Sequence, residues 1–278
     1  MDPTLRRIAL MTQWTGFDAG AESAAIELAG RLQVPLGVVV PLLSNPEYEV
    51  LAHERVAKEE AATAQATAAF MARAHAAGVA LDVRIRRGDE LWREVVDEAR
   101  SGQIDLLITR RRGHRSFLGK LRVGQMVRQI AAHSPCPVMM VPRAARAPER
   151  RMLVVLESGS AAKLQMRHAM ALATALGLPL DVLVVVASRD AQPQGEGLLQ
   201  LAMEVTTLTN VPVTGSVGTG PLAEVLASRM GAIPADLLVM GVEPVAASHG
   251  KLGDVVETVV GGVPCATLLV GLQTPTPR

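Results

Sequence analysis

The chain has 278 residues, of which 49% are apolar and only 2% aromatic, and its formal net charge is +1. This length agrees with two domains of about 139 residues that each bury a sizeable core, and the scarcity of aromatic residues means that the cores consist of Ala, Val, Leu, Ile and Met. No apolar run approaches the roughly 18 residues of a membrane span, and the start is not that of a signal peptide, so we expect a cytoplasmic protein without a membrane partner.

Short runs rich in Val, Ile and Leu alternate with longer segments of helical pattern. This alternation is typical of βα units that form a parallel sheet with helices on both faces. The predicted strands of the first half are 7–12, 36–42, 81–86, 105–109 and 137–141, and its longest predicted helix is 47–77. The predicted strands of the second half are 152–156, 180–187, 211–217, 236–240 and 266–270, with a shorter second helix at 197–208.

The two halves of the chain repeat one pattern. An Asp-Leu-Leu run starts at Asp105 and again at Asp236, and each run precedes a Pro-Cys pair that contains Cys136 or Cys265. The cysteines lie 265 − 136 = 129 positions apart. Solenoid units repeat every ~20 to 50 residues, so this longer repeat indicates a duplicated domain. We predict domains at 1–143 and 151–273, a linker at 144–150 and a tail at 274–278.

Each half ends in a way that resembles the universal stress protein domain. The matching features are a strand of the type Asp-Leu-Leu-Ile, a glycine-containing loop, a helix and a final strand after Pro-Cys-Pro at 135–137. The resemblance implies a tandem pair of flavodoxin-like, HUP-type α/β domains, each with a five-stranded parallel sheet of order 3-2-1-4-5. It also implies that the domains pair through their last strands, near Val138 and Thr267, and it leaves a homodimer open.

The family resemblance also implies a nucleotide site, for which ATP is the candidate ligand. Nucleotide-binding members hold ATP between strands 1 and 4, where the strand order reverses and opens a crevice. Their motif after strand 4 is Gly, two residues, Gly, nine residues, Gly, then Ser or Thr. In the first half Arg110 replaces the first glycine, ten residues separate Gly113 from Gly124, and Gln125 replaces the hydroxyl residue.

Arginines in the first half are predicted to compensate for the changed motif. Guanidinium groups of Arg110 and Arg112 suit phosphate, and Gln13 stands near the position of the acid that family members place after strand 1. Trp14 either stacks on a base or packs internally, and packing is the commoner role. The candidate binding residues are Gln13, Arg110, Arg112, Gly113, Gly124 and Gln125.

The second half departs from the motif in the opposite way. Glu157 supplies the acid and Gly241 the first glycine, but Pro244 stands at the second glycine and Gly253-Asp254 replaces Gly-Ser. An aspartate at a helix start is a good N-cap but repels phosphate. We therefore expect this half to pair with the first and not to bind phosphate.

Two other functional hypotheses remain open. One is a structural interaction module of the same family with no ligand in either half, since both motifs are altered. The other is nucleic-acid binding through the seven cationic residues between Arg110 and Arg128, which the near-zero net charge and the few aromatic residues disfavour.

Catalytic and metal-binding patterns are absent from the sequence, so we expect at most slow ATP hydrolysis and no metal. Cys136 and Cys265 are interpreted as core residues, because a zinc site would need more ligands at close spacing. Asp105 and Asp236, at the start of the fourth strand of each half, are expected to cap or bridge backbone.

Overall fold

The structure is a computed structural model that describes residues 5–44, 53–111, 113–115, 121–157, 162–206, 210–242 and 259–271, with backbone only for 113–115 and 121–123. The elements of the first half are β1 Ile8–Met11, α1 Ala19–Leu32, β2 Leu36–Leu43, α2 His53–Ala76, β3 Leu81–Gly88, α3 Leu91–Ser101, β4 Leu106–Arg110, β5 Gly113–Arg115, β6 Leu121–Val123, α4 Gln125–His133 and β7 Val138–Val141. Those of the second half are β8 Met152–Leu156, α5 Ala162–Leu176, β9 Leu180–Val186, a short 3-10 helix Arg189–Ala191, α6 Gln192–Glu204, β10 Val213–Thr219, α7 Leu222–Ala232, β11 Leu237–Val242 and β12 Ala266–Gly271.

Ten strands form one continuous sheet in the order β10-β9-β8-β11-β12-β7-β4-β1-β2-β3. Each half contributes five parallel strands in the order 3-2-1-4-5, once the separate β5–β6 hairpin is left out. The inner strands of the sheet are largely buried on both faces, which explains why their sequences are continuous apolar runs and not alternating ones. The edge strands β3 and β10 are partly exposed and contain polar residues. The predicted α/β fold class is confirmed.

The two halves meet where β7 pairs with β12. This is the one antiparallel pair of the ten-stranded sheet, and its register places Met139 opposite Leu268. Both side chains are buried, so each half covers the apolar edge strand of the other. Because the pair is antiparallel, the carboxyl edge of the first half's strands lies on the same side as the amino edge of the second half's strands.

Residues 142–151 connect the halves by running along α1. Gly20 is required at the start of that helix, because a Cβ there would lie 2.1 Å from the carbonyl oxygen of Pro142. Farther along, the buried Ala147 donates its backbone N–H to Glu27 at 3.2 Å. Residues 142–148 of the connecting segment are thus packed against the first half.

Arginines of the first half also donate hydrogen bonds to the second half. Arg31 donates to the carbonyl oxygen of Pro148, and its other terminal nitrogen donates to that of Leu176 at 3.1 Å, in the last turn of α5. Arg111 donates to the carbonyl oxygen of Cys265 at 3.4 Å, and burial lowers the pKa of its guanidinium. These bonds satisfy carbonyls at the boundary between the halves.

In each half an aspartate caps the backbone amides that precede the first strand. Asp105 accepts from the N–H groups of residues 6–7 at 2.8 and 2.9 Å, and Asp236 accepts from those of residues 149–151 at 2.7 to 3.1 Å. The expectation for these two aspartates is confirmed.

The second helix of the second half begins earlier than predicted. We expected a loop up to residue 196, because Pro193 and Gly195 break helices, but α6 starts at Gln192. Pro193 occupies the first turn, where it is tolerated. A Cβ on Gly195 would lie 2.7 Å from Val217 and 2.8 Å from Val186, so this glycine allows close packing of the helix on the sheet.

None of the helices in the described ranges combines the length and apolar character needed to cross a bilayer.

Candidate functional site

The candidate site lies at the carboxyl edge of the first half, between β1 and β4. The two strands pair in parallel with Met11 opposite Thr109, and β1 pairs on its other side with β2. Connections leave β1 and β4 in opposite directions, which opens a crevice at their carboxyl ends. The segment 12–18 after β1 and Arg110 at the end of β4 line this crevice.

Arg110 fills the crevice with a buried side chain. One terminal nitrogen donates to both carboxylate oxygens of Asp18, at 3.0 and 3.2 Å, and to Thr15 Oγ1 at 2.8 Å. The other donates to Gln13 Oε1 at 2.7 Å. The side chain of Arg110 is 8% exposed and that of Asp18 is fully buried, so water screens this ion pair little.

Asp18 is held in place by the loop that follows β1. Its Oδ2 accepts the backbone N–H and the hydroxyl of Thr15, both at 2.7 Å. The backbone N–H of Asp18 in turn donates to the carbonyl oxygen of Thr15 at 2.9 Å, which closes a tight turn before α1. The acid of this site therefore stands at the start of α1, seven positions after the end of β1.

Trp14 packs against Phe70 of α2, with ring centroids 5.2 Å apart. Its backbone has φ +55°, a left-handed conformation that is uncommon for a bulky residue and that turns the chain after β1. Its indole Nε1 is buried and has no acceptor among the described residues. The structure thus places Trp14 in internal packing beside the crevice.

A second ion pair lies behind the first. The buried carboxylate of Glu22 pairs with Arg73 of α2, and it accepts a long hydrogen bond of 3.5 Å from the hydroxyl of Thr12. Arg73 also lies over the ring of Phe70 at 5.3 Å. These contacts join α1 and α2 next to the crevice. The polar side chains on this side of the crevice are therefore already bonded to one another.

The start of α4 supplies the other side of the candidate site. Gly124 is its N-cap with φ −60° and ψ 143°, it has no side chain to cap the first amides, and the first turn contains no acidic residue. The helix follows β4 and precedes β7, so it runs antiparallel to the strands and its amino end is at their carboxyl edge. The backbone amides at a helix start and the helix dipole favour an anion there.

The segment between Arg110 and α4 differs from the predicted glycine-rich loop. Gly113 begins β5 and lies opposite Val123 of β6, so an antiparallel hairpin occupies part of this segment. The structure brings Gln13 and Arg110 together and places Gly124 and Gln125 at the helix start, with Gln125 exposed. Arg112 lies outside the described residues.

Sequence reasoning missed Asp18. The acid was sought at the end of strand 1, where only Gln13 was found, although a buried arginine at the end of β4 requires a carboxylate partner nearby. The available sequence signal was weak, namely that Asp18 is the first acidic residue after strand 1.

The corresponding crevice of the second half contains a different bridge. Gln165 of α5 is buried and donates its amide hydrogens to the carbonyl oxygens of Val155 and Val239, at 2.8 and 3.3 Å. It thereby links β8 and β11 near their carboxyl ends. Glu157 is exposed just beyond β8, and Pro244, Gly253 and Asp254 lie outside the described residues.

The described ranges contain no cluster of three or more His, Cys, Asp or Glu residues that would hold a metal ion. Both cysteines are free thiols, with Cys265 buried and Cys136 partly buried. Burial is the main cause that raises the pKa of each thiol to about 11. They are therefore protonated at neutral pH.

The comparisons with known proteins agree with this fold. Residues 18–142 match the universal stress protein family. A universal stress protein from Archaeoglobus fulgidus is 15% identical with a TM-score of 0.77, and the match covers 96% of this chain and 98% of that one. A putative universal stress protein from Pseudomonas aeruginosa is 18% identical with a TM-score of 0.63, over 96% of this chain and 93% of that one. No curated protein matches the chain.

The same fold occurs in another context. The cytoplasmic domain of a prokaryotic cation chloride cotransporter is 13% identical with a TM-score of 0.57, and the match covers 96% of each chain. At such low identities these structures show the fold alone. The family match covers residues 18–142, which is most of the first half.

Proposed function

We propose that the chain is a stress-response regulator of the universal stress protein type whose first half binds a phosphorylated small molecule, with ATP as the first candidate. The proposed site lies between β1 and β4, within a first domain of residues 1–143. A second domain, 151–273, pairs with it across β7 and β12 and does not bind phosphate.

The start of α4 is the observation that carries this proposal. Its N-cap is a glycine, which has no side chain to cap the first amides, and its first turn contains no acidic residue. Helix ends of this kind bind phosphate. In the second half Asp254 stands where Gln125 stands in the first, and a carboxylate there repels phosphate. The first half therefore lacks the carboxylate that the second half has at the corresponding position of its sequence.

Arg110 has a positioning role in this proposal. Asp18 largely cancels its charge, so Arg110 by itself adds little attraction for phosphate. Its contact with Gln13 holds that amide at the end of β1, where it can hydrogen-bond a ribose or a base. The attraction for phosphate comes from the helix amides at Gly124 and Gln125 and from Arg112, and Gly113 allows the backbone to approach. The proposal assigns no general base, so at most slow hydrolysis of ATP accompanies binding.

A structural interaction module without a ligand is the second candidate. The observation in its favour is that side chains already bridge both crevices, Arg110 with Asp18 in the first half and Gln165 in the second. In this reading the sheet that joins the two halves presents a fixed surface to another protein, and the altered motifs have lost their ligand.

Two measurements on the purified chain separate these candidates. The first is mass spectrometry of small molecules released on denaturation, and the second is a thermal-shift titration with ATP. A ligand at a hundred times its Kd stabilises a folded protein by about 2.7 kcal/mol. Recovered nucleotide together with ATP-dependent stabilisation supports the ligand site, whereas an empty protein that no nucleotide stabilises supports the interaction module.

The variant Gly124→Asp tests the location of the site. The backbone at Gly124 suits any residue, and aspartate is a favourable N-cap, so the variant should fold with equal or higher stability. Its carboxylate should nevertheless abolish stabilisation by ATP. The matched control is Gly124→Ser, a neutral cap that should retain it. Equal ATP binding by the two variants would remove α4 from the site.

A further inference from the structure

A cavity of about 490 Å³ lies between the two halves, at the amino edge of the first half's strands. It is away from the crevice between β1 and β4, because the segment before β1 and the starts of β4 and β7 line it. The opposite wall is α5 of the second half, which contributes His168, Ala171 and Leu172. The volume falls within the usual range of about 300 to 1,000 Å³ for small-molecule sites.

The pseudo-symmetry of the molecule shows why this cavity exists. The strands β1 and β8 start 152 − 8 = 144 positions apart, so His168 and Ala171 correspond to Ala24 and Glu27 of α1. On α1 that face is covered by the segment 142–151, whose Ala147 is buried and bonded to Glu27. The equivalent face of α5 borders the cavity instead.

The polar lining of the cavity is mainly cationic. Arg6, Arg7 and Arg100 line it, and Asp105 is the one acid among its lining residues. Asp105 Oδ2 is already bonded to the backbone amides of Arg6 and Arg7, so it caps the chain before β1. Asp105 and Asp97, which pairs with Arg100, offset two of the three guanidinium charges, so the lining keeps a positive charge of about one, which attracts anions.

The three arginines differ in how firmly they are held. Arg7 donates to the carbonyl oxygen of Gly102 at 3.1 Å, and Arg100 donates to Asp97 at 2.9 Å. The side chain of Arg6 has no ion-pair partner within the described part of the chain. The bond to Gly102 leaves further donors of Arg7 unused, and a guanidinium carries five donors in a planar fork that matches carboxylate and phosphate oxygens.

His168 adds a neutral polar group on the opposite wall. Its ring makes no hydrogen bond to any described residue, and burial lowers its pKa, so it is uncharged at neutral pH. A neutral imidazole donates one hydrogen bond without adding charge. Apolar side chains complete the lining, namely Leu5, Ile104, Leu106, Leu172 and Leu268. This combination suits a ligand with a carbon framework and charged ends.

We propose that this interdomain cavity binds a small organic anion with two or more carboxylate or phosphate groups, held by Arg6, Arg7 and Arg100 from the first half and by His168 from the second. Such a ligand contacts α3, the segment before β1 and α5 at once. Its binding therefore stabilises the docking of the two halves, and the site is independent of the proposed ATP site.

Titration of the whole chain with citrate and with pyrophosphate tests this proposal. At constant ionic strength, set with chloride, either probe should raise the unfolding temperature, and the preferred probe distinguishes carboxylate from phosphate recognition. The imidazole signal of His168 should shift with the same Kd in NMR spectra, where the variant His168→Asn assigns it among the six histidines.

Arg100→Gln should weaken binding at least about tenfold, because it removes a charged hydrogen-bond donor. The matched control is Arg93→Gln on the same helix, since Arg93 pairs with Glu90 and does not line the cavity. The variant Gly124→Asp should bind the probe as wild type does, which separates this site from the proposed ATP site. Failure of both probes to bind, an unmoved His168 signal or equal losses in Arg100→Gln and Arg93→Gln would overturn the proposal.

Discussion

Arg110 and Asp18 form a buried ion pair, 3.0 Å between Nη1 and Oδ2, in the crevice between β1 and β4. Breaking a buried pair by removing one partner costs about 3 to 5 kcal/mol, because the other charge stays buried alone. We therefore expect Asp18→Ala to lower the free energy of unfolding by that amount in urea titrations. The double variant Asp18→Ala with Arg110→Met should lose clearly less than the sum of the single changes. Additive losses would show that the two residues act separately.

The same ion pair should limit how strongly the first half attracts phosphate. Asp18→Asn keeps the size of the side chain and can still accept hydrogen bonds from Thr15, but it removes the charge that offsets Arg110. If ATP binds at this edge, its affinity should rise about tenfold or more in this variant, most strongly at low salt. Isothermal titration calorimetry at two salt concentrations measures the change. An unchanged affinity would place the phosphates away from Arg110.

The two thiols should be unreactive in the folded chain. The pKa values of Cys136 and Cys265 are raised to about 11 by burial, from an ordinary value of 9.0. Thiolate is the reacting form, so labelling by iodoacetamide at pH 8 should be far slower in the native protein than in urea. Equal rates in the two states would contradict the buried, protonated description.

The raised thiol pKa values also predict a loss of stability in alkali. The folded state favours the protonated thiols, so this contribution to stability is fully present below pH 9. It decreases as the pH rises from 9 towards 11, because the unfolded chain then loses protons that the folded chain retains. Cys136→Ser should fall less steeply than wild type over that range in urea unfolding at stepped pH.

His168 should make the protein sensitive to acid. Burial lowers its pKa below the ordinary 6.5, so the folded state holds the neutral ring. Its contribution is present above pH 6.5 and is lost as the pH falls through that value towards the folded pKa, because the unfolded chain then takes up a proton first. His168→Gln should flatten this part of the stability profile. A profile with the same slope as wild type below pH 6.5 would contradict it.

The inner strands were predictable because they are apolar runs that are largely buried on both faces, whereas the edge strands β3 and β10 are partly exposed. The predicted range 152–156 coincides with β8, and the other strands differ by a few residues at their ends. The start of α6 was not predictable, because the role of Gly195 depends on contacts with Val186 and Val217 from distant parts of the chain. Local glycine and proline signals indicated a loop, and packing on the sheet outweighed them.

The candidate site was predicted only in part, for a similar reason. Its position between β1 and β4 follows from the parallel sheet, and Gln13 and Arg110 do meet there. The partner Asp18 comes from the turn before α1, and its pairing with Arg110 joins residues 92 positions apart. Sequence spacing alone does not reveal such a pair. The hairpin β5–β6 was also not predicted, because its two strands have only three residues each.

Replacement of Thr267, at the junction of the two halves, should make the folded chain more stable. Thr267 lies in β12, opposite Met140 of β7. It is fully buried, and its hydroxyl has no partner among the described residues. An unpaired buried hydroxyl costs about 1 to 3 kcal/mol, and valine has nearly the same shape without it. Thr267→Val should therefore raise the free energy of unfolding by about 1 kcal/mol.

A more exposed threonine on another strand, with a bonded hydroxyl, provides a contrast to that substitution. Thr214 of β10 donates its hydroxyl to the buried carboxylate of Asp181 at 2.7 Å, so Thr214→Val removes a hydrogen bond to a charged group. Its loss should lower stability by about 1.5 to 3 kcal/mol. Opposite signs for the two threonine variants in urea unfolding are expected, because one hydroxyl is satisfied and the other is not. Destabilisation by both changes would mean that Thr267 donates a hydrogen bond at the junction, and that the two halves are joined there by a polar contact as well as by apolar packing.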